Sequence, residues 1–389
     1  MTKKWSSRLT FFAFVVLMVG LGSNDSLRGI FSTIFQEHFS LTTTQLGLIV
    51  TASYIGNLVF LLVGGNLSTR FSKKRVLQVL ILIWMAALAL FAFTSNYTVL
   101  LIGMALALGS STLLNTTMNL ITPLLFATAP GFFVNFLFFT QEIGTSGSQY
   151  ILGSHADGFA FWQHTNLVLL ILGAVAFVLL LFCNVPEEAA ASADAPAQKG
   201  GYDWRIIVPY VLVFGFYFIA EHGVMNWMVA HGVDGLGLPQ ASAAKYLSVF
   251  FGGMMIGRLC LSPLVDKLGA LKSLAAFGGV SCVLYLIGSL GGAVTMPVWA
   301  ISGLSFSILY PTLVMSIRLY FPAQQVSGAA GTILSIASLA DILFNVGFGK
   351  LVDMAGYAVS IRVLPLSVLA FFIVFMLLTK FCKPTQKLK

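Results

Sequence analysis

Apolar runs of about 20 residues, the length that crosses a bilayer as a helix, recur almost from end to end of this chain. Hydrophobic residues make up 58% of the 389 and charged residues only 9%, with mean hydropathy +0.93. No soluble core needs that much apolar surface. The runs lack the alternation of a transmembrane strand, which excludes a barrel. They predict an all-α membrane protein of about twelve transmembrane helices in two six-helix bundles.

Predicted helices cover about Ser7 to Gln36, Gln45 to Ser68, Val76 to Thr94, Val99 to Leu125, Phe132 to Leu152 and Leu167 to Cys183. Residues 186–203 then turn polar and small, the composition of a flexible linker. After it come Trp204 to Ala230, Ala243 to Val265, Leu271 to Leu290, Val294 to Leu319, Gly328 to Leu351 and Val363 to Phe381. The domains expected are 1–185, the cytoplasmic linker 186–203, and 204–389. Two six-helix halves joined this way are the parallel repeat of the major facilitator architecture, with a central substrate cavity between the halves.

The net charge of +8 reads as topology rather than as a nucleic-acid site. Lys3, Lys4, Arg8, Arg70, Lys73 to Arg75, Lys199, Arg205, Lys267, Lys272 and the lysines after Thr379 all fall on one side if the helices alternate. This positive-inside pattern places both termini in the cytoplasm and the chain in a bacterial-type inner membrane. Cys183, Cys260, Cys282 and Cys382 lack metal-type spacing and read as reduced packing residues. The first apolar run exceeds signal-peptide length, so the first helix is expected to be retained.

Against this background the polar residues inside spans stand out, since an acid or base at bilayer depth costs about 2.5–3.5 kcal/mol on insertion scales unless it is partnered or faces a cavity. Helix one carries Asn24, Asp25 and Arg28 within an apolar run. Asp25 and Arg28 share a helix face: they form either a static ion pair or a proton site beside a cation that binds an anionic group. Helix four adds Asn115 and Asn119, and helix five Gln141 and Glu142; Glu142 has no base near it in sequence. Helix seven carries Glu221, His222, Asn226 and Trp227, helix ten Tyr310-Pro311 as an expected kink, and helix eleven Asp341 and Asn345.

These residues divide into expected proton-coupling acids (Asp25, Glu142, Glu221) and expected solute contacts (Asn24, Arg28, Asn115, Asn119, Gln141, His222, Asn226, Trp227, Tyr310, Asp341, Asn345). Buried amides can instead simply bridge helices. No nucleophile–base spacing, metal cluster or P-loop occurs in the sequence. An enzyme is therefore not expected, no cofactor or metal is called for, and transport has to run on a gradient or downhill.

Two resemblances sharpen this reading. The segment from Gly65 to Lys74 resembles the facilitator-superfamily loop G-x-L-x-D-R-x-G-R-R, with Thr69 in the acid's place, and Ser262 to Gly269 resembles it again with Asp266 present. The resemblance implies a conformational latch at Arg70, Lys74, Asp266 and Lys267. Asn24-Asp25, Phe35 to Thr42, Gln45 to Ile49, Asn115 to Asn119, and Glu221 with Asn226-Trp227 are similar to the fucose-galactose-glucose:proton symporters. That family implies a monomeric, proton-coupled sugar transporter working by alternating access, with a small-molecule substrate, protons and the lipid bilayer as partners. Asn115 stands where sugar–proton members carry an acid, so the proton falls to Asp25, Glu142 or Glu221. The alternative is a proton-coupled exporter or antiporter of amphipathic or anionic compounds, in which Arg28 reads the negative group.

Overall fold

The structure is a computed structural model that describes residues 3–126, 130–183, 185–186, 202–382 and 384; within these, the side chains of 3–6, 61–70, 120, 123, 130–132, 135, 266, 323–324 and 327–328 are not described. The chain divides into two compact units, Met1–Ala195 and Pro196–Lys389. Residues 187–201 of the expected linker lie outside the described residues.

The first unit holds α1 (Lys3–Ile30), α2 (Ser32–His38), α3 (Thr43–Arg70), α4 (Lys73–Phe93), α5 (Tyr97–Leu125), α6 (Pro130–Ile151) and α7 (Phe159–Leu181). The second holds α8 (Trp204–Ala230), a π-helical turn (His231–Gly235), α9 (Gln240–Leu268), α10 (Ala270–Leu290), α11 (Met296–Ile301), α12 (Gly303–Phe306), α13 (Leu309–Ser316), α14 (Ala323–Ala355), α15 (Tyr357–Ser360) and α16 (Val363–Phe381). The described residues contain no strand. They include 10 helical segments long and apolar enough to cross a membrane. With α3 and α6, of 28 and 22 residues, the helices fit the expected twelve crossings. The chain is a multi-pass, all-α membrane protein.

Short polar side chains set where helices begin. Asn96 Oδ1 accepts from the backbone N–H groups of Thr98 (2.9 Å) and Val99 (3.2 Å) to start α5, and Asp203 accepts from Arg205 N (2.9 Å) to start α8. Each satisfies donors that the first helical turn leaves open. The end of α7 is closed from elsewhere in the unit, by Lys74 Nζ donating to the carbonyls of Cys183 (2.7 Å) and Leu181 (3.0 Å). A cation there also meets the negative end of the helix dipole.

Two predicted helices are broken in the structure. Helix one bends at Phe31 between α1 and α2, where Ser32 Oγ donates to Gly29 O at 2.8 Å. Helix ten is divided into short pieces, and along it Ser302, Ser305 and Ser307 each donate to the carbonyl three residues back, at 2.6 to 2.9 Å. Such back-bonding competes with the helix ladder and bends it. Pro311 adds to this, since it offers no N–H to Ser307 O and its ring displaces that carbonyl. The kink expected at Tyr310-Pro311 therefore lies one turn earlier, at Ser307-Ile308, ahead of α13.

Packing repeats between the units. In the first, α1 packs on α6 and α7, α3 on α5, and α4 on α5 and α7. In the second, α8 packs on α14 and α16, α9 on α11 and α12, and α10 on α11 to α13 and on α16. Counting crossings within each unit, the first pairs with the fifth and sixth, the second with the fourth, and the third with the fourth and sixth. One packing plan is thus used twice, as a sequence repeat of six and six requires.

The α1–α6 contact is made by glycine. A Cβ at Gly22 would strike the carbonyl of Gln141, and one at Gly144 the carbonyl of Val19. At this separation Thr145 Oγ1 donates to Gly22 O (3.2 Å) and Ser23 Oγ to Gly144 O (3.3 Å). Small residues that admit backbone contact and polar residues that bond across it are what hold helices together in lipid. Gly144→Val is expected to cost about 1–3 kcal/mol, as overpacking does. Gly147→Ala, whose Cβ meets nothing within 4 Å, should be near neutral. Thermal unfolding midpoints of the two variants in detergent check the difference.

Candidate functional site

In the first unit, α1, α5 and α6 bring most of the expected polar residues into one seam. Ser111, Asn115 and Asn119 recur at four-residue spacing and so share one face of α5. Ser111 Oγ donates to both oxygens of Asp25, at 3.3 and 3.4 Å, and Asn24 Nδ2 reaches Asp25 Oδ1 at 3.5 Å. Asn115 Nδ2 donates to Gln141 Oε1 at 2.7 Å, while Asn119 Nδ2 donates to Asn115 Oδ1 at 2.6 Å. Asn24 is buried, whereas Asp25, Asn115, Asn119 and Gln141 are half-buried.

Arg28 stands at one end of this seam with 5% of its surface exposed. Its guanidinium carbon lies 5.6 Å from the centroid of the Tyr54 ring on α3, a cation–π distance. Arg28 and Asp25 interact through space, but the two do not close into an ion pair, and Arg28 Nε has no hydrogen-bond partner among the described residues. Glu142, half-buried one residue beyond Gln141, is engaged with other groups and is not isolated in the way its sequence surroundings suggest.

In the second unit the corresponding helices, α8 and α14, form a different kind of network. His222 Nδ1 and Asp341 Oδ2 are 2.6 Å apart. Asn345 Nδ2 donates to Asp341 O (2.9 Å) and Oδ1 (3.3 Å), and Asn345 Oδ1 accepts from Trp227 Nε1 (3.0 Å) and Asn226 Nδ2 (3.5 Å). Asp341, Asn345, Asn226 and Trp227 are all buried, and the Trp227 ring packs on Phe348 at 4.9 Å. Trp227, an expected solute contact, in this arrangement braces the network through Asn345. His222 keeps its side chain 25% exposed and stacks on Phe218.

Glu221 belongs to a second cluster. It acts electrostatically, together with Arg258 of α9, on Tyr217 and Tyr310. Arg258 is absent from the sequence-derived candidates, although a charge inside the eighth apolar run is the same signal that singled out Asp25 and Arg28. Ser111, Tyr54 and Tyr217 were also missed: a lone serine or tyrosine in a span carries no sequence signal until its partner is known. Of the expected latch residues, the side chains of Arg70 and Asp266 lie outside the described ones, Lys267 is exposed, and Lys74 holds the end of α7.

No group of three or more His, Cys, Asp or Glu suited to a metal ion occurs among the described residues. What the seams offer is directional hydrogen bonding and a few titratable groups, which suits reversible binding of a polar solute.

A sequence model of the Major Facilitator Superfamily matches residues 10–344. The L-fucose-proton symporter of Escherichia coli is 23% identical over 333 residues, 74% of this chain and 75% of that protein. The cis,cis-muconate transport protein of Acinetobacter baylyi is 24% identical over 297 residues, covering 71% and 70%. Among solved structures, a mutant of the nucleoside transporter NupG superposes with a TM-score of 0.79 at 11% identity, covering 97% of this chain and 100% of that one.

Asn345 is the acceptor on which the α8–α14 network turns. Asn345→Leu removes the acceptor used by the Trp227 indole and is expected to cost about 1–3 kcal/mol for a buried donor left open. The detergent unfolding midpoint should fall accordingly, and Asn119→Leu, at a half-buried position, should lower it less.

Proposed function

Because the chain belongs to the major facilitator superfamily, we propose that it is a secondary active transporter that moves a small polar solute, a sugar, by alternating access and couples the movement to protons. Its relatives are transporters, so its chemistry is binding and release rather than catalysis. The observation that carries the proposal is the α1–α5–α6 seam, in which an acid adjoins a row of amides. Asn115, Asn119 and Gln141 offer both donors and acceptors, as a ring bearing hydroxyl groups requires. One relative is named for fucose–proton symport and another for transport of a dicarboxylate, and the amides favour the hydroxyl-bearing solute.

Asp25 is the first proton site in this reading. Its partner Ser111 is a hydroxyl that donates to an ionised carboxylate and, turned about its Cβ–Oγ bond, accepts from a protonated one. The same surroundings therefore hold Asp25 in either state without leaving a polar group stranded in the apolar interior. Glu142 and Glu221 are the further proton sites of the proposal. The basic residues flanking the spans support an inner-membrane orientation with both termini in the cytoplasm.

Uptake into proteoliposomes of a panel of labelled sugars and organic acids, with and without an imposed pH gradient, tests the reading. Wild-type protein is expected to accumulate its solute only with the gradient. Asp25→Asn should reduce accumulation to the level reached without the gradient while sparing exchange. Accumulation left intact in Asp25→Asn, Glu142→Gln and Glu221→Gln alike would remove these acids from coupling, and no uptake of any sugar at millimolar concentration would end the sugar reading.

A further inference from the structure

We infer that Arg28 is a carboxylate receptor, and that the solute this protein takes is a hydroxylated organic acid, a sugar acid in class, rather than a neutral sugar. The inference rests on the transport reading and narrows its substrate.

Arg28 lacks partners for its donors among the described residues. A guanidinium carries five N–H donors and is never neutral. At 5% exposure on a membrane-spanning helix it keeps little room for hydration, and its Nε is buried without a hydrogen-bond partner; a buried charge without a partner is among the costliest groups a protein can hold. Cations so placed close on a carboxylate where one is available. Asp25, three residues earlier on the same helix face, is in electrostatic reach, yet its oxygens are engaged by Ser111 and Asn24. Arg28 is left with the face of Tyr54 on one side and no ion pair among the described residues. The cation–π contact offsets part of the desolvation and uses none of the N–H donors.

The helix that carries Tyr54 completes the specification. Thr51 Oγ1 and Asn57 Oδ1, three residues to either side of Tyr54 on α3, are buried without a hydrogen-bond partner among the described residues. The first unit thus carries one cationic donor group in want of an anion and neutral oxygens in want of donors. A neutral sugar supplies hydroxyl donors to the oxygens but nothing to match the charge. A simple fatty acid supplies the charge but no donors. A molecule with a carboxylate at one end and hydroxyls along its length answers both, and the planar fork of arginine suits a carboxylate through two parallel hydrogen bonds.

Equilibrium binding to the purified full chain in detergent separates this inference from the transport reading, because it needs no gradient. Isothermal titration with D-galacturonate, D-galactose and hexanoate compares carboxylate plus hydroxyls, hydroxyls alone and carboxylate alone on molecules of similar size. Wild-type protein is expected to bind galacturonate about 10- to 100-fold more tightly than either of the others, the range of a charge-assisted hydrogen bond. Arg28→Gln should bring galacturonate down to the level of galactose. Arg28→Lys, which keeps the charge and loses the fork, should fall between them. Galactose binding as tightly as galacturonate to the wild-type protein would overturn the inference and leave sugar transport standing. Hexanoate binding as tightly as galacturonate would overturn the hydroxy-acid class, and absence of binding by all three would overturn the inference together with the sugar reading. The wild-type comparison decides the matter even if the Arg28 variants fail to fold.

Discussion

A polar side chain inside a bilayer has to be answered by another group of the protein, and that requirement organises this molecule. Water does so at no structural cost on the surface of a soluble protein, but in hydrocarbon each donor and acceptor left open costs several kcal/mol on the order of its transfer energy. The answering groups here sit on neighbouring helices: Ser111 of α5 for Asp25 of α1, Gln141 of α6 for Asn115, and Asn345 of α14 for Trp227 of α8. These pairs depend on helices lying close together. In the first unit that closeness is supplied by Gly22 and Gly144, where α1 and α6 meet backbone to backbone.

The architecture was legible in the sequence because it follows from a single quantity, the length of apolar chain needed to cross a membrane. The last helix, predicted from Val363 to Phe381, has those same limits in the structure. Helices one and ten were less legible. Their breaks coincide with Ser32, Ser302, Ser305 and Ser307 donating to carbonyls of the preceding turn, and a hydropathy pattern does not report how a serine hydroxyl is turned.

The site was legible as a set of residues and much less so as a set of pairs. Asp25, Arg28, Asn115, Gln141, Asp341 and Asn345 declare themselves as polar groups in apolar surroundings. Which of them spend their hydrogen bonds on each other depends on the rotation of one helix against the next. Helical spacing alone puts Asp25 and Arg28 on one face and leaves both a closed pair and an open one possible. The structure gives the Asp25 oxygens to Ser111 and Asn24, and only the tertiary arrangement reveals that choice.

The repeat makes the contrast between the units instructive. Its first-to-fifth helix pair is α1–α6 in one half and α8–α14 in the other, and both pairs carry polar residues at mid-helix. In the second unit these residues consume one another: His222 meets Asp341, Asp341 meets Asn345, and Asn345 receives Trp227. A network so nearly closed holds two helices in register and has little left for a ligand. The first unit, built on the same packing plan, keeps a carboxylate half-buried and leaves Arg28 Nε without a hydrogen-bond partner among the described residues. The second unit sets its own half-buried acid and base, Glu221 and Arg258, outside that network, where they act on Tyr217 and Tyr310. One packing plan thus carries two polar arrangements, and what distinguishes them is which side chains face one another across it.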